Sequence, residues 1–306
     1  MQREFKYIIE ESWQGKDIKT YLLKKVGISS VLLKKLKTYE DGICVNGNHQ
    51  NVNFVLSEND NLKITLREGA SENIVPTKQD FKIVYEDDDI MIVNKPSGLP
   101  THPSIGNYDN TLANGLMYYF WEKGEERVFR AVNRLDRDTS GLMCIAKHSL
   151  SHHMLSEQIK AGTLKRKYVA LVVGVVSNDK GTVNAPIARC GEGIIKREVS
   201  DSGQEAITHY EVIERFENST LLGLKLDTGR THQIRVHMAH MGYPRVGDWL
   251  YGEEVEGIGG YALHSAYIEF KHPVTGEEMS FSDNIYVKMK ELVNIFDKKI
   301  EIKKSL

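Results

Sequence analysis

The chain has 306 residues, 41% of them hydrophobic and 27% charged, with a formal net charge of -2. At about 150 residues per domain, this length predicts two domains able to bury sizeable cores. No apolar run approaches the roughly 18 to 20 residues of a membrane span, the N-terminus lacks the apolar core of a signal peptide, and the three cysteines, Cys44, Cys144 and Cys190, have the spacing of neither a disulfide framework nor a zinc site; a cytoplasmic protein with no membrane partner and small buried thiols is expected.

Net charge says little about nucleic acid, because phosphate binding depends on local charge. Seven lysines (Lys16, Lys19, Lys24, Lys25, Lys34, Lys35, Lys37) stand against one acid, Asp17, between positions 16 and 37. Ile18, Tyr21 and Leu22 predict a short helix stopped at Gly27; Ser29 or Ser30 caps a second carrying Val31, Leu32, Leu33 and Leu36. The period then switches to two: Ile43 and Val45, an Asn46-Gly47 turn, and a strand through Leu62, Ile64 and Leu66. A lysine-rich helix face is either solvated charge or a phosphate reader that releases counterions.

The stretch Lys19 to Leu66 resembles the S4 RNA-binding domain, named after a small-subunit ribosomal protein. The motifs carrying this are Leu-Leu-Lys-Lys-Val-Gly-Ile-Ser (22–29), Leu-Leu-Lys-Lys-Leu (32–36) and Gly-Ile-Cys-Val-Asn-Gly (42–47). The resemblance implies an RNA-binding unit over 12–68, α/β in type, with Lys34 and Lys35 on the substrate. Members often carry arginine near these positions; lysine keeps the charge but loses the bidentate fork. Residues 69–79, with Gly, Ser and Pro and no apolar period, read as a linker to a second domain over 80–300.

That domain opens with two strands, Phe81–Val84 and Ile90–Val93, joined by the acidic turn Glu86–Asp89. Acids in such a turn read as solvated charge, so no metal is assigned. Lys95, at a strand end beside Pro96 and Gly98, either meets a phosphate or is a surface lysine at a corner. Asp109 or Thr111 caps a helix with Leu112, Leu116 and Phe120 inward.

Ala131 to Lys147 then sets Asp136 between Arg134 and Arg137, ahead of a buried apolar strand from Leu142 to Ala146. Cations within about 4 to 6 Å favour an ionised carboxylate, which suits a nucleophile. Alternatively Asp136 and Asp138 are turn residues, Asp138 capping Thr139 and Ser140. Ser149 caps a helix to about Lys160. Lys165, Arg166 and Lys167 form a cation cluster leading into a strand at Tyr168, whose ring either stacks on a base or packs in the core. Strands follow over 181–188, 206–216 and 219–226, with a loop, Gly191 to Gly203, between the first two. At Asp227 to Gly242 a strand turns on Gly229 into a helix capped by Thr231, with Ile234, Met238 and Met241 buried. Its N-terminus is an anion site that also carries Arg230 and Arg235. His232, His237 and His240 lack the carboxylate and shared face of a metal site. Tyr261 to Phe281 predicts a hairpin, and Val287 to Phe296 a last helix.

Four blocks stand in order: Val-Asn-Lys-Pro-Ser-Gly (93–98), Asn-Arg-Leu-Asp-Arg-Asp-Thr-Ser-Gly (133–141), Lys167-Tyr168, and Gly-Arg-Thr-His-Gln-Ile-Arg (229–235), with Tyr-Ala-Leu-His (261–264) after them. From Phe81 to about Phe296 the chain resembles the RluA-type branch of the pseudouridine synthases. The resemblance implies an α+β fold with a mixed, mainly antiparallel sheet flanked by helices, and isomerisation of uridine to pseudouridine in RNA without metal or cofactor. It implies Asp136 as nucleophile, Arg235 as its ion-pair partner, Tyr168 packing on the base, Leu263 as a pocket wall and Arg134 holding the flipped nucleotide. Asn133 stands where the family commonly has histidine, which bears on loop geometry. A separate S4-like unit favours structured RNA, large-subunit rRNA ahead of tRNA, read by a monomer. Two rivals remain: an RNA-binding protein without catalysis, and a nucleoside or glycoside hydrolase using Asp136, for which Asp138 is the nearby second carboxylate that hydrolysis normally requires.

Overall fold

The computed structural model describes residues 2–71, 73–191, 195–255, 258 and 262–305. The N-terminal unit is a four-stranded antiparallel sheet, β1 (Gln2–Ile8), β2 (Ile43–Val45), β3 (Asn48–His49) and β4 (Asn61–Arg67), in the order β1-β4-β2-β3. β1 pairs with β4 along its whole length, so the unit includes residues 2–8, ahead of the expected bound at residue 12. Leu62, Ile64 and Leu66 alternate into the core, and left-handed Asn46 and Gly47 form the two-residue turn between β2 and β3. Helix α1 (Ile18–Tyr21) continues through a π-helical turn to Gly27, which takes φ +77°. Helix α2 (Ser30–Leu36) is capped by Ser29, whose hydroxyl accepts from Leu32 N at 3.1 Å. Leu32, Leu33 and Leu36 face inward and Lys34, Lys35 and Lys37 outward, as a 3.6-residue period requires; Val31 is exposed.

The larger domain contains β5 (Lys82–Glu86), β6 (Ile90–Lys95), helix α3 (Leu112–Glu122), β7 (Ser140–Ala146), helix α4 (Ser149–Lys160), β8 (Lys165–Val173), β9 (Lys180–Asn184), β10 (Ile187–Arg189), β11 (Arg197–Val199), β12 (Ile207–Arg215), β13 (Ser219–Leu226), helix α5 (Gln233–His240), β14 (Leu263–Lys271), β15 (Glu278–Ser282) and helix α6 (Tyr286–Ser305). Nine strands form one sheet, β5-β6-β7-β14-β8-β13-β12-β9, with β15 also on β14; β10 and β11 pair separately. All neighbours in the large sheet are antiparallel except β7 and β14. This is the mixed, mainly antiparallel α+β architecture expected. The Gly191–Gly203 segment is thus not all loop, since it contains β11; residues 192–194 within it, and Tyr261 ahead of β14, lie outside the described residues.

Strand β7 is buried on both faces because it is central. Met143 and Ile145 pack with Leu112, Leu116 and Phe120 of α3, while Leu142, Cys144 and Ala146 pack with Leu155 of α4 and Phe270 of β14. Thr111 caps α3 in a capping box with Asn114. Being parallel, β7 and β14 begin at the same end of the sheet, with Ser140 opposite His264. The turn before β7 and the first residue of β14 are therefore neighbours.

The two units meet in a charged seam. Glu68, 8% exposed, accepts from Arg130 Nη2 at 2.6 Å and from Ser149 N at 3.0 Å. Asp89 accepts from Arg3 Nε at 3.1 Å and from His148 Nε2 at 2.9 Å. The cap of α4 is accordingly not Ser149 but His148, whose Nδ1 accepts from Ser151 N. That bond leaves Nε2 carrying the proton it donates to Asp89. Leu150 and Met154 of α4 complete the N-terminal core. Among its described residues the expected linker has neither helix nor strand, but it is tied down: Ser71 N donates to Arg127 O, and Asn114 Nδ2 to Val75 O.

The acidic turn brings Asp87, Asp89 and His272 within 4.8 Å of one another. Val274 N and Thr275 N donate to His272 Nδ1, so Nε2 is the protonated nitrogen and donates to Asp87 at 3.0 Å. That hydrogen-bonded arrangement accounts for the cluster without an ion.

Candidate active site

A cavity of about 760 Å³ opens where the turn before β7 meets β8, β14 and the start of α5. Asp136, Tyr168, Leu263, Arg134, Arg230 and Arg235 all line it. These six expected site residues come from four separate stretches of chain, brought together by the β7-β14-β8 order of the sheet. Leu263 is 3% and Tyr168 5% exposed. Tyr168 belongs to the main core as well as to the cavity wall, and burial, with Asp136 acting the same way, raises its phenol.

The turn bearing Asp136 is held through its backbone. Thr101 Oγ1 donates to Leu135 O at 2.7 Å, Gly98 N to Arg137 O at 2.9 Å and Ser97 Oγ to Asp138 O at 3.0 Å. Lys95 joins them. Its ammonium donates to Pro96 O, Leu99 O and Arg137 O at 2.8, 2.8 and 3.0 Å, and the side chain is fully buried. Lys95 is therefore neither a surface lysine nor available to a phosphate, contrary to expectation: all three N–H groups are used inside the protein. Burial pushes its pKa down to about 7, against the pull of Asp136 and Asp138. Asn133, 4% exposed, accepts from Cys144 N at 2.9 Å and so fastens the turn to β7.

The cation beside Asp136 is Arg235, with Nη1 3.7 Å from Oδ2. The flanking arginines do not fill that place: Arg134 is exposed, and Arg137 turns to Asp138, Nε to Oδ1 at 2.9 Å. Asp138 also accepts from Trp249 Nε1 at 3.3 Å and does not cap Thr139 or Ser140. Arg235 is aimed by Asp248, a residue sequence reasoning missed. Nε and Nη2 of Arg235 donate to its two oxygens at 2.7 and 2.8 Å, the fork geometry of a bidentate pair. Asp248 is fully buried, also accepts from Arg245 Nε at 3.2 Å, and is held down at a pKa of about 2 by Arg235 and Arg245 against the opposing effect of burial. Arg235 lies 5.0 Å over the ring of Tyr251.

Helix α5 begins at left-handed His232 (φ 59°, ψ 16°), not at a Thr231 cap; Gln233 Oε1 accepts from Arg230 N and Thr228 Oγ1 and so shapes the turn. Ile234 and Met238 are buried as expected, and His237 is consumed by Thr208 and Ala185 O. Of the cations around Tyr168 only Arg166 lines the cavity, because alternation sends Lys165 to Glu269 and Lys167 over Tyr267. Lys34 and Lys35 do not line it; Lys35 lies 4.0 Å from Glu68.

Residues 89–240 match the RNA pseudouridylate synthase family. The uncharacterized RNA pseudouridine synthase YjbO of Bacillus subtilis is 40% identical over 270 residues, spanning 88% of this chain and 95% of that protein. Ribosomal large subunit pseudouridine synthase D of Pseudomonas aeruginosa is 42% identical over 216 residues, 66% of this chain and 67% of that protein. Among solved structures, human RNA pseudouridylate synthase domain containing 1 superposes with a TM-score of 0.58 at 27% identity, over 70% of this chain and 87% of that one. The cavity thus sits in the fold of an RNA-modifying isomerase. The chain belongs to the RNA pseudouridine synthase family, in its RluA-type branch.

Proposed function

We propose that this enzyme converts uridine to pseudouridine in large-subunit ribosomal RNA, with Asp136 as the nucleophile. The observation that carries the role of Asp136 is its carboxylate in the cavity, 3.7 Å from a guanidinium that a second, buried carboxylate holds in place. The C1'-N1 bond breaks, C1' joins C5, a proton leaves C5 and one arrives at N1, so atoms balance without a co-reactant. In this reading Tyr168 packs against the base, Leu263 forms the pocket wall, and Arg134 and Arg230 at the exposed rim hold the extruded nucleotide and its backbone. Flipping costs a few kcal/mol, which backbone contacts offset. The names of relatives called large-subunit synthases support this choice of RNA substrate. The test is to map pseudouridine in rRNA and tRNA from cells with and without the gene. Loss of a large-subunit site is expected; loss of a tRNA site alone moves the substrate to tRNA, and no loss anywhere overturns the proposal.

The N-terminal unit is the S4-like RNA reader in the same proposal, with Lys34 and Lys35 exposed on α2. Replacing both by alanine should weaken RNA binding without changing which uridine is modified. It should also reduce the slope of log affinity against log salt by up to about 2, since each lysine releases about one counterion. An unchanged slope in filter-binding titrations would remove these lysines from the interface.

A further inference from the structure

Among the described residues three that are not glycine adopt positive φ: Asn46, Asn59 and His232. Two are asparagines in turns of the N-terminal unit, a residue type that visits this region readily. His232 is at the cavity, and its left-handed backbone is strained in a way that glycine would not be. The imidazole makes no capping bond to α5. Instead Nδ1 lies 2.8 Å from the Tyr251 hydroxyl, and that hydroxyl accepts from Arg197 N at 2.8 Å.

With Arg197 N already donating to the phenol oxygen, the arrangement that best uses the hydroxyl has its proton directed to Nδ1, which assigns the ring's own proton to Nε2. Tyr251 is fixed in turn: its backbone N donates to Asp248 Oδ1 at 3.2 Å, and Arg235 stacks over its ring. The assembly that aims Arg235 at Asp136 therefore also orients His232. Burial lowers the pKa of the imidazole, Arg235 and Arg197 push the same way, and Asp136 and Asp248 oppose them. The neutral form of the ring is thereby favoured.

We propose that His232 is a further catalytic residue of the synthase, whose Nε2–H donates a hydrogen bond to a carbonyl oxygen of the target uracil. As the C1'-N1 bond breaks, its electron pair stays with the ring and spreads onto the carbonyl oxygens. A fixed donor there stabilises the charge where it develops, and no proton is transferred in that step. The proposal rests on the reading that the cavity around Asp136 receives the base.

His232→Gly and His232→Asn both accept the left-handed backbone, so they remove the imidazole without straining the turn. Tritium release from an unmodified large-subunit rRNA transcript labelled at uridine C5 reads the turnover. Either variant should lose about a hundredfold in kcat with KM unchanged, and free imidazole should restore part of the rate to His232→Gly. A kcat close to that of the unaltered enzyme, or a loss carried by KM, overturns the proposal. Asp136→Asn separates the two readings. If it is inactive while His232→Gly turns over normally, only the role of His232 fails; if it turns over normally, the site assignment itself fails.

Discussion

Asp136→Asn is expected to abolish isomerisation, with kcat reduced by at least about 10⁴-fold, while the protein folds and binds RNA as before. Such a loss is about 5 kcal/mol of transition-state stabilisation. A partly exposed ion pair contributes at most about 1 kcal/mol, so the two origins separate cleanly. The fold should tolerate the change because the turn depends on main-chain contacts from Lys95, Ser97, Gly98 and Thr101, none of which touches the Asp136 carboxylate. Arg235 keeps both bonds to Asp248. A substantial residual rate in the tritium-release assay would remove Asp136 from the role of nucleophile, and no release from the unaltered protein would return the chain to the rival in which both units merely hold RNA. Release of free uracil would favour a hydrolase.

Asp248→Ala should behave differently, losing stability and activity together. It leaves Arg235, 5% exposed, without its fork and Arg245, 2% exposed, without its carboxylate. Breaking a buried pair from one side costs about 3–5 kcal/mol, readable as a shift in the denaturant midpoint at unchanged slope. The same pair sets an acid limit. The folded Asp248 carboxyl, at about 2, binds protons less readily than in the unfolded chain near 3.8. Its contribution, about 2 kcal/mol, is thus complete above pH 4 and disappears as pH falls through 2. The Asp248→Ala protein should therefore lose less stability than the unaltered enzyme between pH 5 and 2. Parallel acid titrations of the two would sink this idea.

Most strands and helices and six residues of the cavity wall were legible because they depend on local period and on ordered blocks. Asp136, Tyr168, Leu263 and Arg235 lie in such blocks, and the sheet order supplies the rest. What escaped depends on partners remote in sequence. Asp248 follows Arg235 by 13 positions in a stretch without apolar period, so nothing local marks it as the carboxylate holding Arg235. Lys95 was misread because an isolated lysine at a strand end is ordinarily at the surface, and its three carbonyl acceptors include one 42 positions away. His148 as cap needed knowledge of Asp89, which fixes its tautomer from another strand end. Arg137 and Asp138, adjacent in sequence, satisfy each other and leave Asp136 to a distant cation.

The seam through Glu68 and Asp89 bears on how this enzyme diversifies. Glu68, at the end of the N-terminal unit, accepts the first backbone N–H of α4, and Leu150 and Met154 lend that helix to the neighbouring core. An exchanged N-terminal unit would have to bring its own acid for Arg130 and Ser149 and a basic partner for Asp89. Inheritance of the N-terminal unit would thereby be coupled to the first turn of α4, and the two should vary together across descendants or not at all. The pair would then change as one part, although it folds as two sheets.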